Sequence, residues 1–244
     1  MLLIHGFLLD SSMFDRQVEA LAGQYRFVTP DLRGHGHSSH RAVSYSQWDL
    51  MEDQVALLNH LGVRRAVWGG VSQGGFQSLR AALRHPERVA GLALIDTQAG
   101  PEDPVRSEMY EAFGQVVASD GMNEDIARSA ALMIFGASAS RELVEAWVSI
   151  WNAEPTVGIM ERLHAVTQRE DITDRLAAIV APALVIHGEE DVAIEMERAQ
   201  ALASGLPNLV EFMTVPAAGH SSSMEQPGPV TAAIQRFLSS TAPR

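Results

Sequence analysis

Short strand-like runs recur along this chain at Leu2–Ile4, Arg26–Thr29, Ala66–Gly69, Val89–Ile95, Ala183–His187 and Leu209–Val215, with helix-patterned segments between them. Apolar runs of this length read as strands buried on both faces, which requires a mainly parallel sheet flanked by helices on either side. The intervening segments agree. Phe14, Val18 and Leu21 share a face, as do Leu50, Leu57, Leu58 and Leu61 behind a capping box of Ser46 and Asp49. Phe76, Leu79 and Leu83 line a helix that His85-Pro86 should end. Val230, Ile234, Phe237 and Leu238 line the last helix, opened by Gly228-Pro229. The expectation is an α/β fold with a sheet of about six strands, and 244 residues suffice for one well-buried core.

One interval breaks the rhythm. From about Gln98 to Ile179 no strand pattern occurs, yet helix formers and bulky apolar residues abound. A structureless loop of that length does not fit a compact domain. Residues 98–179 are therefore expected to form a helical cap insertion over a core made of residues 1–97 and 180–244.

The chemistry concentrates at Gly70-Val71-Ser72-Gln73-Gly74, which follows an apolar strand and opens a helix. A sharp strand-to-helix turn exposes its central serine and needs neighbours without side chains. The helix N-terminus adds N–H groups and a positive dipole end near any developing negative charge. A serine hydroxyl needs a base. Of nine histidines, His220 sits after the last strand and before the final helix, where a loop can return to Ser72. The base needs an acid to hold its tautomer. Asp191, just past Ala183–His187, is the first choice, with Asp96 and Glu190 as rivals. Expected oxyanion donors are the backbone N–H of Gln73 and that of Phe7, with Leu8 as the fallback.

The bulk numbers restrict the partners. A net charge of -12 disfavours phosphate binding, so no nucleic-acid partner is expected. The absence of cysteine removes disulfides, thiolate metal sites and a cysteine nucleophile. No apolar run approaches a membrane span and no signal-peptide pattern opens the chain, so the default is a cytoplasmic protein without a membrane partner. A small-molecule substrate, a monomer or homodimer, and no metal or cofactor complete the expectation.

Taken together, five motifs carry a family resemblance: His5-Gly6-Phe7-Leu8-Leu9-Asp10, Asp31-Leu32-Arg33-Gly34-His35-Gly36-His37-Ser38, Gly70–Gly75, His187-Gly188-Glu189-Glu190-Asp191, and Gly219-His220 with Glu225-Gln226-Pro227. They resemble the α/β-hydrolase superfamily, and within it the small-esterase and cofactor-free perhydrolase (non-haem haloperoxidase-like) branch. The resemblance implies a triad in the order Ser72, Asp191, His220 and a cap between the family's sixth and seventh strands. It implies an esterase or lactonase acting on small, mostly apolar molecules. An enol-lactonase or a C–C bond hydrolase could use the same triad, and a ligand receptor on this fold is the alternative from another class. A serine at the elbow is unlike epoxide hydrolases and haloalkane dehalogenases, which carry aspartate there.

The chain departs from the pattern in three ways. Gln73 stands where perhydrolase-like members carry Met, and Ile194 where a proline is common. The chain also begins at the family's third strand, without the N-terminal hairpin, which would leave Arg26–Thr29 as a sheet edge open to dimerisation. For the substrate pocket, Phe7, Leu8, Trp147 and Trp151 are the expected contacts, beside Gln73, Met109, Phe113, Met133, Phe135 and Met160. The cap arginines Arg106, Arg128, Arg141, Arg162 and Arg169 are candidates for anchoring a carboxylate.

Overall fold

The computed structural model describes residues 1–241. Five strands form one parallel sheet in chain order: β1 (Leu2–Ile4), β2 (Ala66–Val71), β3 (Val89–Ile95), β4 (Ala183–Gly188) and β5 (Leu209–Val215). Alternate side chains divide between the two faces, as the pleat dictates. Leu3, Ala93, Ile95, Leu184 and Ile186 pack with Phe14, Val230, Ile234 and Phe237 on one side. Leu2, Ile4, Trp68, Leu92, Leu94 and Val185 pack with Met51, Leu58, Leu79 and Leu202 on the other. Phe14 closes the turn that leads into α1 (Asp15–Leu21), and the other helical residues come from α2 (Gln47–His60), α3 (Gln73–Arg84), α8 (Met196–Gly205) and, after the short α9 (Ser222–Glu225), α10 (Pro227–Thr241). Ser46 and Asp49 close the expected capping box on α2.

Arg26–Thr29 corrects the expected strand count. It contributes one parallel bridge, Leu2 with Val28, on the free side of β1. Val28 N–H donates to Met1 O and Leu3 N–H to Val28 O, both at 2.9 Å. The next rung would need a donor at residue 30, and Pro30 has none. The ladder stops there.

Between β3 and β4 run α4 (Pro104–Asp120), α5 (Glu124–Ile134), α6 (Arg141–Ala153) and α7 (Ile159–Thr167). Their side chains Val117, Ala130, Ile134, Trp147 and Trp151 join the same apolar cluster as Leu3 and Ile186. No helix among the described residues is long and apolar enough to cross a membrane. The chain leaves β1, bridges on one side of it and returns as β2 on the other. In open α/β sheets the crevice beyond the strand ends at such a reversal is where ligands bind.

Candidate active site

Four residues other than glycine hold a left-handed backbone: Leu8, Ser72, Asp96 and Ala217, with φ of 63°, 53°, 46° and 55°. Each lies just beyond the C-terminal end of a strand: β1, β2, β3 and β5 in turn. Such conformations cost on the order of 1–3 kcal/mol apiece and persist where the surroundings over-determine them. The strained residues gather at one edge of the sheet, the C-terminal one.

Ser72 stands between β2 and α3 with ψ of -112°. Its N–H donates to Ile95 O at 3.0 Å, and its carbonyl accepts from Phe76 N–H at 3.1 Å and the Thr97 hydroxyl at 2.8 Å. Gly70 and Gly74 let α3 lie against β1, because a Cβ on either would collide with Ile4 O.

His220 follows β5 and faces the same cavity as Ser72. Its Nδ1 donates to Asp191 Oδ2 at 2.8 Å, and the other Asp191 oxygen accepts the N–H groups of Ala193 and Ile194 at 2.8 and 2.9 Å. With Nδ1 committed to the carboxylate, Nε2 is left as the basic nitrogen. Burial lowers the affinity of the His220 imidazole for a proton. The charge and hydrogen bond of Asp191, with Asp96 and Glu102 behind it, outweigh burial and raise its pKa overall. Glu225 secures the loop, accepting Gly219 and Ser221 N–H at 3.0 and 3.3 Å and, with its other oxygen, Gly136 N–H at 2.9 Å.

Asp96, the rival acid, does not touch His220. One of its oxygens accepts Gly188 N–H at 2.9 Å, and the other accepts the N–H and hydroxyl of Ser222 at 2.9 and 2.8 Å. Burial, and then the neighbouring Asp191, push its pKa up. Glu190 is occupied with Ser138 on the surface. His187, fully buried, stands between the two aspartates, with Nε2 bonded to Ile194 O at 2.9 Å and Nδ1 4.0 Å from Asp96. Ser222, Asp96 and His187 thus make a second serine–carboxylate–imidazole grouping. Ser222 is wholly buried, however, lines no part of the cavity and has its hydroxyl committed to Asp96. Asp96, His187 and Asp191 could bracket a cation, offering atoms within 4.8 Å of one another. Backbone N–H groups, Ser222 and His220 already use the carboxylate oxygens.

The backbone N–H groups of Phe7 and Gln73 make no hydrogen bond among the described residues. The His5 ring braces the Phe7 loop, accepting Leu32 N–H at 2.9 Å and donating to Gly6 O at 2.8 Å. Between this loop and α4, α5 and α7 lies a cavity of about 350 Å³. Phe7, Leu8, Phe76, Met109, Phe113, Met133, Leu163 and Ile194 line it, with Ser72 and His220 at its wall.

Trp147 and Trp151 are a correction to the expected substrate contacts. Neither lines the cavity. Trp151 is fully buried, donates from Nε1 to Leu8 O at 2.6 Å and packs on Trp147 with ring centroids 6.0 Å apart. Phe135 stacks on Trp151 and is likewise outside the cavity wall, as are Met160 and Gln73. Nor does any of the cap arginines line it: Arg162 pairs with Glu154, Arg169 with Glu102, Arg106 with Glu195, Arg128 with Glu124 and Glu145, and Arg141 with Glu145. Sequence reasoning missed Glu102 and Tyr110, which do line it. Tyr110 lies three residues before Phe113 on α4, so the helical repeat would have found it.

The chain was compared with known proteins. The family model described as alpha/beta hydrolase fold matches residues 1–227. A pimeloyl-[acyl-carrier protein] methyl ester esterase of Edwardsiella ictaluri is 27% identical over 97% of this chain and 92% of that protein. A thermophilic esterase from Thermogutta terrifontis superposes with a TM-score of 0.92 at 33% identity, covering 98% of this chain and 89% of that one. The enol-lactonase from Burkholderia xenovorans LB400 gives a TM-score of 0.89 at 26% identity, covering 98% and 90%.

Proposed function

The chain belongs to the alpha/beta hydrolase fold family, and from that premise we propose that it hydrolyses carboxylic esters or lactones of small, mostly apolar molecules through an acyl-enzyme on Ser72. One observation carries the reading: Ser72, held at a strained strand-to-helix turn, and His220, backed by Asp191 at 2.8 Å, open onto one apolar cavity.

In the first half-reaction the Ser72 hydroxyl attacks the carbonyl carbon while its proton passes to His220 Nε2. The N–H groups of Phe7 and Gln73 hold the oxyanion. The intermediate collapses, and the leaving alkoxide takes the proton from His220. Water then repeats the sequence on the acyl-Ser72 ester, with His220 as base, and the carboxylic acid departs. Asp191 steadies the imidazolium at each proton transfer. Residues 98–179 serve as the cap that walls the substrate in. A cytoplasmic location accompanies this reading, and cell fractionation checks it.

A fluorophosphonate probe tests the nucleophile. One label is expected, on the peptide containing Ser72, and none in Ser72→Ala. Labelling that persists in that variant, or that maps to Ser222, overturns the assignment.

A further inference from the structure

Apart from Ser72 and His220, the cavity wall is apolar except at Ser129, Glu102 and Tyr110. Ser129 is satisfied within its own helix, donating to Asp125 O at 2.9 Å. The other two offer polar atoms to a ligand. Glu102 is nearly buried, with its side chain 7% exposed; its Oε2 accepts from Arg169 Nη1 at 2.9 Å, and its Oε1 accepts Asp103 N–H at 3.2 Å and lies 3.9 Å from Arg106 Nε. Arg169 lies behind the wall, where it also donates to Gly100 O and Val166 O and stacks over the Phe76 ring at 4.3 Å. The two arginines fix the carboxylate and compensate its charge, while each Glu102 oxygen, with one hydrogen bond made, keeps a lone pair for a donor from the cavity. Tyr110 makes no hydrogen bond among the described residues, and burial, followed by the charge of Glu102, raises its phenol to about 12. It stays a neutral hydroxyl at any working pH.

Arg169 and Arg106, the two arginines beside Glu102, do not line the cavity. Among the described residues no arginine lines the wall, and the chain contains no lysine. A carboxylate in the substrate would lose its hydration beside Glu102 without gaining a partner. A hydroxyl or amide N–H would find an acceptor in Glu102 and either role in Tyr110.

We propose that Glu102 and Tyr110 form a subsite that selects neutral esters or lactones bearing a hydrogen-bond donor, a hydroxyl or an amide N–H, and that disfavours carboxylate-bearing ones. This rests on Ser72 acting in the same cavity.

The test is a set of esters with chains of graded length ending in methyl, acetamido or carboxylate, placed in turn on the acyl and the alcohol side. Hydrolysis is followed by pH-stat titration. In one of the two series the acetamido end should exceed the methyl end by about tenfold in kcat/KM, the size of one buried hydrogen bond, with the carboxylate end lowest. Tyr110→Phe should collapse the acetamido-to-methyl ratio toward one, and Glu102→Gln should raise the carboxylate-to-methyl ratio. Glu102→Gln loosens a buried arginine and can fail to fold; Tyr110→Phe removes only a hydroxyl and decides alone. A carboxylate end that is hydrolysed best, or an acetamido-to-methyl ratio that Tyr110→Phe leaves unchanged, overturns the subsite. Failure of the Ser72 assignment would show instead in the fluorophosphonate labelling, whatever the ratios.

Discussion

Asp96 accepts both the backbone N–H and the hydroxyl of Ser222, at 2.9 and 2.8 Å, across 126 residues of sequence. Its second oxygen takes Gly188 N–H at 2.9 Å. Ser222 lies two residues after His220, and Gly188 three before Asp191. One buried carboxylate therefore pins together the two segments whose meeting makes the His220–Asp191 pair.

Asp96→Ala should orphan three buried donors, at about 1–3 kcal/mol each. We expect a clear fall in melting temperature and a fall in kcat with little change in KM, because Asp96 is not part of the cavity wall. Asp96→Asn should lie between, since an amide has one acceptor oxygen for two sides. Thermal melts and steady-state kinetics check this; an Asp96→Ala protein that melts like the parent would show that the tie holds nothing.

The pH dependence follows from His220. Its folded pKa is raised above 6.5, with burial opposing and Asp191 prevailing. As base it must be neutral, so kcat/KM should climb with pH through an apparent pKa above 6.5 and level off beyond it. The stability from the His220–Asp191 attraction has the opposite sense: it is fully present below the unfolded pKa and is lost as pH rises through the folded one. Activity should therefore rise over the window in which this contribution declines. Rate profiles and melts across pH 5–9 measure both.

Asp191→Asn should reduce kcat by about 10³–10⁴-fold, because the amide no longer holds the proton on Nδ1. The acidic limb of kcat/KM should also move to lower pH, since the charge that raised it is gone. A limb that stays in place would assign the titration to another group.

Trp151→Phe removes the donor to Leu8 O but leaves the cavity wall intact. We expect a loss of about 1–2 kcal/mol in stability, from the orphaned carbonyl and lost packing, with KM little changed. A large rise in KM with an unaltered melt would restore Trp151 as a substrate contact.

Gly74→Ala and Ala217→Gly should act in opposite directions. The first forces a Cβ onto Ile4 O in a wall of backbone that cannot yield, and should cost more than about 3 kcal/mol. The second relieves a left-handed alanine and should be neutral or stabilising by up to about 1 kcal/mol. Chemical denaturation measures each.

The strands, the elbow and the placement of Ser72, Asp191 and His220 beyond strand ends were legible because each is a local pattern: an apolar run, a glycine-flanked serine, a polar residue just beyond a strand. Leu2–Ile4, Val89–Ile95 and Leu209–Val215 are found at the bounds read from the residues alone. Arg26–Thr29 was misjudged because one missing N–H, at Pro30, outweighs a favourable run of side chains. The cavity wall was legible only in part. Met109, Phe113 and Met133 belong to it, while Trp147 and Trp151 turn into the core. Helical spacing says which residues share a face, not what that face meets. Ion pairing such as Arg169 with Glu102 joins residues 67 apart and leaves no sequence signature.

The four left-handed residues also bear on how the molecule assembles. Three of them answer to partners further along the chain: Leu8 O accepts from Trp151, Ser72 O from the Thr97 hydroxyl, and Asp96 from Ser222. Such conformations carry their cost from the outset and are compensated only once those partners have met, so this edge is expected to close after the sheet beneath it. Ser72 and Asp96 N–H extend the ladder through Ile95 O and Ile186 O, so they should exchange as slowly as β2, β3 and β4, whereas Phe7 and Gln73 N–H, without partners among the described residues, should exchange fast.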